Sequence, residues 1–153
     1  MTAPLLKKLS GGDLRSIGRS NEVVEDIIQN PSLFGIVFKG MRLKDPIIRA
    51  RSADVIEKVS AKFPHYLQPY KEDLINTISK VNQQEVQWHV AQMLAYIELT
   101  GEESKKVIAI LKEYCDTSTS HIVKVNAIQT LTECALKRPE FKQDVEKHIQ
   151  KWM

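Results

Sequence analysis

Apolar residues along the chain recur at intervals of three and four, the spacing that lines up side chains on one face of an α-helix. Ile48, Ser52, Val55, Ile56 and Val59 form one such stripe, and Leu74, Ile75, Ile78 and Val81 a second. Val86, Val90, Met93, Leu94 and Ile97 form a third, and Val107, Ile108, Leu111, Tyr114 and Cys115 a fourth. Ile122, Val125, Ile128 and Leu131 follow, and Phe141, Val145, Ile149 and Trp152 close the series. No stretch shows the sustained period-two alternation or the Asn-Gly and Asp-Gly turns of a β-hairpin. The pattern predicts an all-α protein.

The polar punctuation places the helix ends. Asn30-Pro31 and Asp45-Pro46 each put a capping side chain before a proline at the first helical position, where its missing N–H costs nothing. Asn82-Gln83-Gln84-Glu85 and Thr100-Gly101-Glu102-Glu103 resemble capping boxes, and Gln68-Pro69 and Arg138-Pro139 open two more helices. These signals predict helices over 21–29, 31–43, 46–61, 69–81, 84–99, 103–115, 120–136 and 139–152, with a short helical turn at 13–18. Gly35 and Gly40 fall inside the second of these, where they either permit close packing or break the helix.

The helix starts repeat. First helices begin near residues 31, 69, 103 and 139, and second helices near 46, 84 and 120. Superposing the second helices places Ile48, Val86 and Ile122 together and Ala53, Ala91 and Ala127 together, small residues where helices must approach closely. Asp45-Pro46-Ile47-Ile48-Arg49-Ala50-Arg51-Ser52-Ala53 then resembles the HEAT-repeat family, with its turn Asp, aliphatic-Arg pair and small residue entering the second helix. Later units depart from the motif, with Val86-Gln87 and Ile122-Val123 in place of the aliphatic-Arg pair and no turn Asp. The resemblance covers roughly residues 31–152 and, more loosely, extends to armadillo-like proteins. It implies a short right-handed α-solenoid of antiparallel helical hairpins used to bind other macromolecules. In that frame 1–153 is one domain: capping helices in 1–30, repeats at 31–61, 69–99 and 103–136, and a half-repeat at 139–152. That half-repeat either caps the stack or precedes a further helix, because a stack must cover its last apolar face.

Composition narrows the function. The 153 residues carry a net charge of +3. Eleven Lys/Arg against seven Asp/Glu in residues 1–62 give +4, and eleven against twelve in 63–153 give −1. Five of the six arginines lie in the first third, a mild attraction for an acidic partner or a nucleic acid. No apolar run reaches the ~20 residues of a membrane-spanning helix, so no membrane association is expected. Cys115 and Cys134 fall at apolar helical positions with no metal-binding spacing, which suits two buried thiols in the reducing cytoplasm.

Chemistry is sparse. His65, His89, His121 and His148 are scattered, and Ser10-Gly11-Gly12-Asp13 lacks the strand and the Gly-Lys-Ser/Thr of a phosphate loop. No catalytic residue, cofactor, metal or small-molecule substrate is expected. The wheel sets Trp88 opposite the Val86–Ile97 stripe, beside Gln92, with Ala50 and Lys124 as repeat equivalents. In an α-solenoid this is the second-helix surface, where a tryptophan either anchors a partner or fills an inter-repeat contact. Arg49, Arg51 and His89 extend it into a basic-aromatic strip. The expectation is a non-catalytic module binding a protein through Arg49, Arg51, Trp88, His89, Gln92 and Lys124. The alternative is nucleic-acid binding by the Arg-rich first third, remotely in the manner of HEAT-like DNA glycosylases. Those use a concave face of aromatics, arginines and a catalytic aspartate, where this chain has Gln92.

Overall fold

The computed structural model describes residues 4–12 and 18–152, and all secondary structure among them is helical. The predicted turn at 13–18 falls, except for Gly18, outside the described residues. In chain order the α-helices are α1 (Pro4–Lys7), α2 (Ser20–Gln29), α3 (Phe34–Gly40), α4 (Pro46–Lys62) and α5 (Pro64–Leu67). They continue with α6 (Lys71–Asn76), α7 (Gln84–Met93), α8 (Gly101–Thr117), α9 (His121–Lys137) and α10 (Lys142–Ile149).

Several predicted ends are built as expected. Asp45 caps α4, its Oδ1 accepting from the Ile47 and Ile48 amides at 2.9 and 3.4 Å. Thr100 and Glu103 form a reciprocal capping box on α8: the Glu103 amide donates to Thr100 Oγ1 at 3.2 Å, and Glu103 Oε1 accepts from the Thr100 amide at 2.8 Å. Elsewhere the structure departs from the sequence reading. Prolines 31, 69 and 139 lie in 3-10 turns ahead of α3, α6 and α10. The segment 69–81 breaks at Thr77 into α6 and a further 3-10 turn. α7 ends at Met93 because the Ala95 and Tyr96 amides turn back to the Gln92 and Met93 carbonyls. Gln83 is no N-cap hydrogen-bond acceptor; its side chain reaches across to α4 instead.

The longer helices pack in a continuous row: α2 on α4, α4 on α7 and α7 on α9. α3 lies against α4, α8 against α9 and α10 against α9. The row has a repeating interior. Ile48, Ser52, Val55, Ile56 and Val59 on α4, then Val86, Val90, Met93, Leu94 and Ile97 from α7 into the following turn, are all buried. Val123, Ala127, Thr130, Leu131 and Cys134 on α9 occupy the same five relative positions and are buried too. The offsets are 38 and 37 residues, and each set begins three residues after its N-cap, at Asp45, Gln83 and Ser120. This corrects the sequence superposition by one residue on α9. Val123, not Ile122, stands with Ile48 and Val86, and Ala127 stands with Ser52 and Val90.

Close approaches tie the row to its neighbours. A Cβ on Gly40 would meet Ser52 Oγ, with Leu6 Cδ2 at 3.1 Å, so this glycine, the last residue of α3, lets α3 lie tightly on α4. Buried Thr130 donates its hydroxyl to the Ala91 carbonyl at 2.6 Å, joining α9 to α7. Buried Tyr114 donates to the Ser79 carbonyl at 2.6 Å, joining α8 to the turn before α7. A cluster of Phe34, Phe38, Tyr66 and Tyr70, with ring centroids 4.7–6.4 Å apart, fills the space between α3 and α5.

Candidate interaction surface

The α4–α7 junction carries most of the polar side chains singled out in the sequence. Trp88 lies half-buried against the core. His89 is buried, with Nδ1 2.6 Å from the Glu85 carbonyl oxygen and Nε2 3.3 Å from Trp88 Nε1. Its Nε2 is also 3.6 Å from Asp54 Oδ1, and Lys58 Nζ lies 3.0 Å from the other Asp54 oxygen. Glu57 completes the α4 side, with the Tyr96 phenol near it. Gln92 is half-buried, and its Oε1 has no hydrogen-bond partner among the described residues.

Three environments perturb ionisation here. Burial disfavours the Asp54 carboxylate, but His89 and Lys58 outweigh it, so the carboxyl titrates below the ordinary range. Burial raises the Glu57 carboxyl, with no cation close enough to compensate fully. Burial, with the charge of Glu57, pushes the Tyr96 phenol up to about 12.

The arginines do not join this cluster as one exposed strip. Arg51 is only 4% exposed, and its Nη1 donates to the Leu9 and Ser10 carbonyls at 3.1 and 3.0 Å. It therefore pins the N-terminal segment to α4. Gly12 and Gly18, both at positive φ, pass so close that a Cβ would lie 2.9 and 2.8 Å from its guanidinium. Arg49 donates to Gln83 Oε1 at 2.7 Å and to the Leu43 and Lys44 carbonyls. Long guanidinium side chains can satisfy backbone carbonyls several residues away, which sequence spacing alone does not reveal.

A different surface emerges on α9. Ile122, Val125 and Leu136 are 51%, 61% and 76% exposed, among the most exposed large apolar side chains described. The 37-residue offset pairs Ile122, Val125 and Gln129 with Glu85, Trp88 and Gln92 of α7, and Leu136 with Leu99 beyond its end. α9 packs on α7 and sends Thr130 to the Ala91 carbonyl, Lys137 to the Ala95 carbonyl and Arg138 to the Leu99 carbonyl. Beside Leu136, a cavity of about 280 Å³ opens between α9 and α10, lined by Thr132, Ala135, Val145 and Ile149 among others. Lys124, in the first turn of α9, holds its ammonium 4.3 Å from the Trp152 ring centroid. It is Val125, not Lys124, that corresponds to Trp88.

The sequence reading assigned Ile122 and Val125 to a buried stripe and passed over Leu136. The signal was there: counting three residues from the Ser120 cap, as from Asp45 and Gln83, leads to Val123 and turns Ile122 and Val125 outward. Both cysteines are buried and unbridged, and burial raises both thiols, Cys115 to about 11. Among the described residues, no His, Cys, Asp and Glu side chains cluster to hold a metal, and no helix is long and apolar enough to cross a membrane. Comparison with protein-family models, characterised proteins and solved structures returns no match for this chain.

Proposed function

We propose that this chain is a short HEAT-like α-solenoid without a reaction of its own, working in the cytoplasm as a binding module for a protein partner. The partner lays an amphipathic helix along α9, over Ile122, Val125 and Leu136. The observation that carries this reading is the exposed apolar stripe on α9. Ile122, Val125 and Leu136 are apolar and uncovered along α9, while the α9 side that meets α7 is occupied through Thr130 and Lys137. An apolar stripe running along a helix fits the apolar face of another helix, so an amphipathic helix is the chemistry that suits it. Covering three half-exposed aliphatic side chains contributes about 3–5 kcal/mol. Association itself costs at least about 4 kcal/mol, so the stripe anchors an interface that needs further contacts. The adjoining cavity and Lys124 can supply them.

The nucleic-acid reading draws less support, because the Arg49 and Arg51 guanidiniums are engaged inside the molecule. A photo-crosslinking residue at position 125 tests the proposal, with one at exposed Gln29 on α2 as the control. Crosslinks to a protein from position 125 alone, lost in V125E/L136E while the helical circular dichroism persists, are expected. Crosslinking from position 29 alone, or undiminished binding by the double variant, overturns it. Retention on heparin at physiological ionic strength would favour nucleic acid instead.

A further inference from the structure

We propose that His89 is a proton-operated latch between α4 and α7, holding the Trp88 indole N–H inward when neutral and releasing it when charged. One ring nitrogen faces two partners with opposite demands. Nδ1 lies 2.6 Å from the Glu85 carbonyl oxygen, which can only accept, so Nδ1 carries a hydrogen in both charge states. The state of Nε2 therefore decides the arrangement. Neutral, it offers a lone pair to the Trp88 indole N–H 3.3 Å away. Protonated, it repels that donor and has a hydrogen to give Asp54 Oδ1, 3.6 Å away on α4. It cannot serve both.

The charges around it are arranged for such a choice. From α4, Asp54 and Glu57 favour the imidazolium and Lys58 opposes it. From α7, Glu85 contributes the fixed carbonyl. Beyond them Tyr96 lies near Glu57, and Glu133 of α9 near Tyr96. The ring is buried, so its proton changes contacts inside the fold rather than hydration at the surface. The indole ring remains half-buried, so a released N–H has solvent or a partner within reach. Protonation thus shortens the α4–α7 link at Asp54 and loosens Trp88, whatever docks on α9.

The W152F variant leaves Trp88 as the sole tryptophan and gives the readout. Its emission is followed from pH 5 to 8, where histidine side chains change charge, alongside the His89 imidazole resonances. Trp88 emission is expected to change with the same midpoint as His89. D54N should lower both midpoints by at least about half a pH unit, a roughly threefold loss of proton affinity. K58Q, a milder change at a partly exposed site, should raise them, and H89Q should abolish the pH response. Circular dichroism confirms that each variant is folded. Emission flat across the range, or midpoints unmoved by both D54N and K58Q, overturns the latch.

Discussion

Replacing Arg51 by Met separates a structural arginine from a recognition arginine. The substitution keeps most of the side chain's length and removes the guanidinium that bonds the Leu9 and Ser10 carbonyls. Charge-assisted hydrogen bonds contribute about 1.5–3 kcal/mol each. Against this, methionine spares the desolvation of a charge that is 96% buried, by its 4% exposure. The net loss is about 2–4 kcal/mol. Unfolding entropy scales with chain length, so in a protein of 153 residues each kcal/mol shifts Tm by about 3 °C. A fall of about 6–12 °C is expected in the thermal melt followed at 222 nm. The N-terminal segment should also become more open to limited proteolysis, since Arg51 is its tether to α4. A Tm within 2 °C of the parent, with partner binding lost, would refute this reasoning and return Arg51 to a recognition role.

Three further outcomes follow from the packing and the charges. Gly40→Ala, at the last residue of α3, gains less than the ~1 kcal/mol of an interior helix position and drives a methyl into Ser52, so overpacking of about 1–3 kcal/mol should win and lower Tm. Ser52→Ala in the same chain should recover part of that loss by removing the nearest atom. Tyr114→Phe removes the buried hydrogen bond to Ser79 and should cost about 1–2 kcal/mol in urea unfolding, with the m-value unchanged. Glu57 and Asp54 should respond with opposite signs. The folded Glu57 carboxyl is raised, so its charge opposes folding at neutral pH, and Glu57→Gln should raise Tm at pH 7 and lose that advantage as pH falls through its titration. The folded Asp54 carboxyl is lowered, so its contribution is present above the unfolded value and fades as the solution is acidified through the folded one; Asp54→Asn should lower Tm at pH 7 and not at strongly acidic pH.

The helical class, the capped starts of α4 and α8, and the buried positions along α4 and α7 were legible in the chain. Each depends on neighbours within a few residues: aliphatic side chains three and four apart, an Asp before a proline, a Thr and Glu bracketing a first turn. The regular spacing of the second helices was legible too, but its register on α9 could be read only from the Ser120 cap and not from the apolar pattern. Ile122 and Val123 are both aliphatic, and hydrophobicity alone does not say which one turns inward. The docking of α9 on α7 decides it, through Thr130 and the Ala91 carbonyl, and so leaves Ile122, Val125 and Leu136 outside.

The basic-aromatic strip read along the second helices is divided in the structure. Trp88, His89 and Gln92 do share one region of the molecule, brought against Asp54 and Glu57 by the packing of α7 on α4. Arg49 and Arg51 read as cations for a partner because sequence shows a charge and not the carbonyls within its reach. What the chain alone determined is which segments coil and which face of most of them seeks the interior, since both follow from local spacing. What tertiary structure decided is where the long polar side chains end and which apolar face is left over. Those depend on contacts between residues 30 to 40 positions apart, as in Arg49 to Gln83 and Thr130 to Ala91.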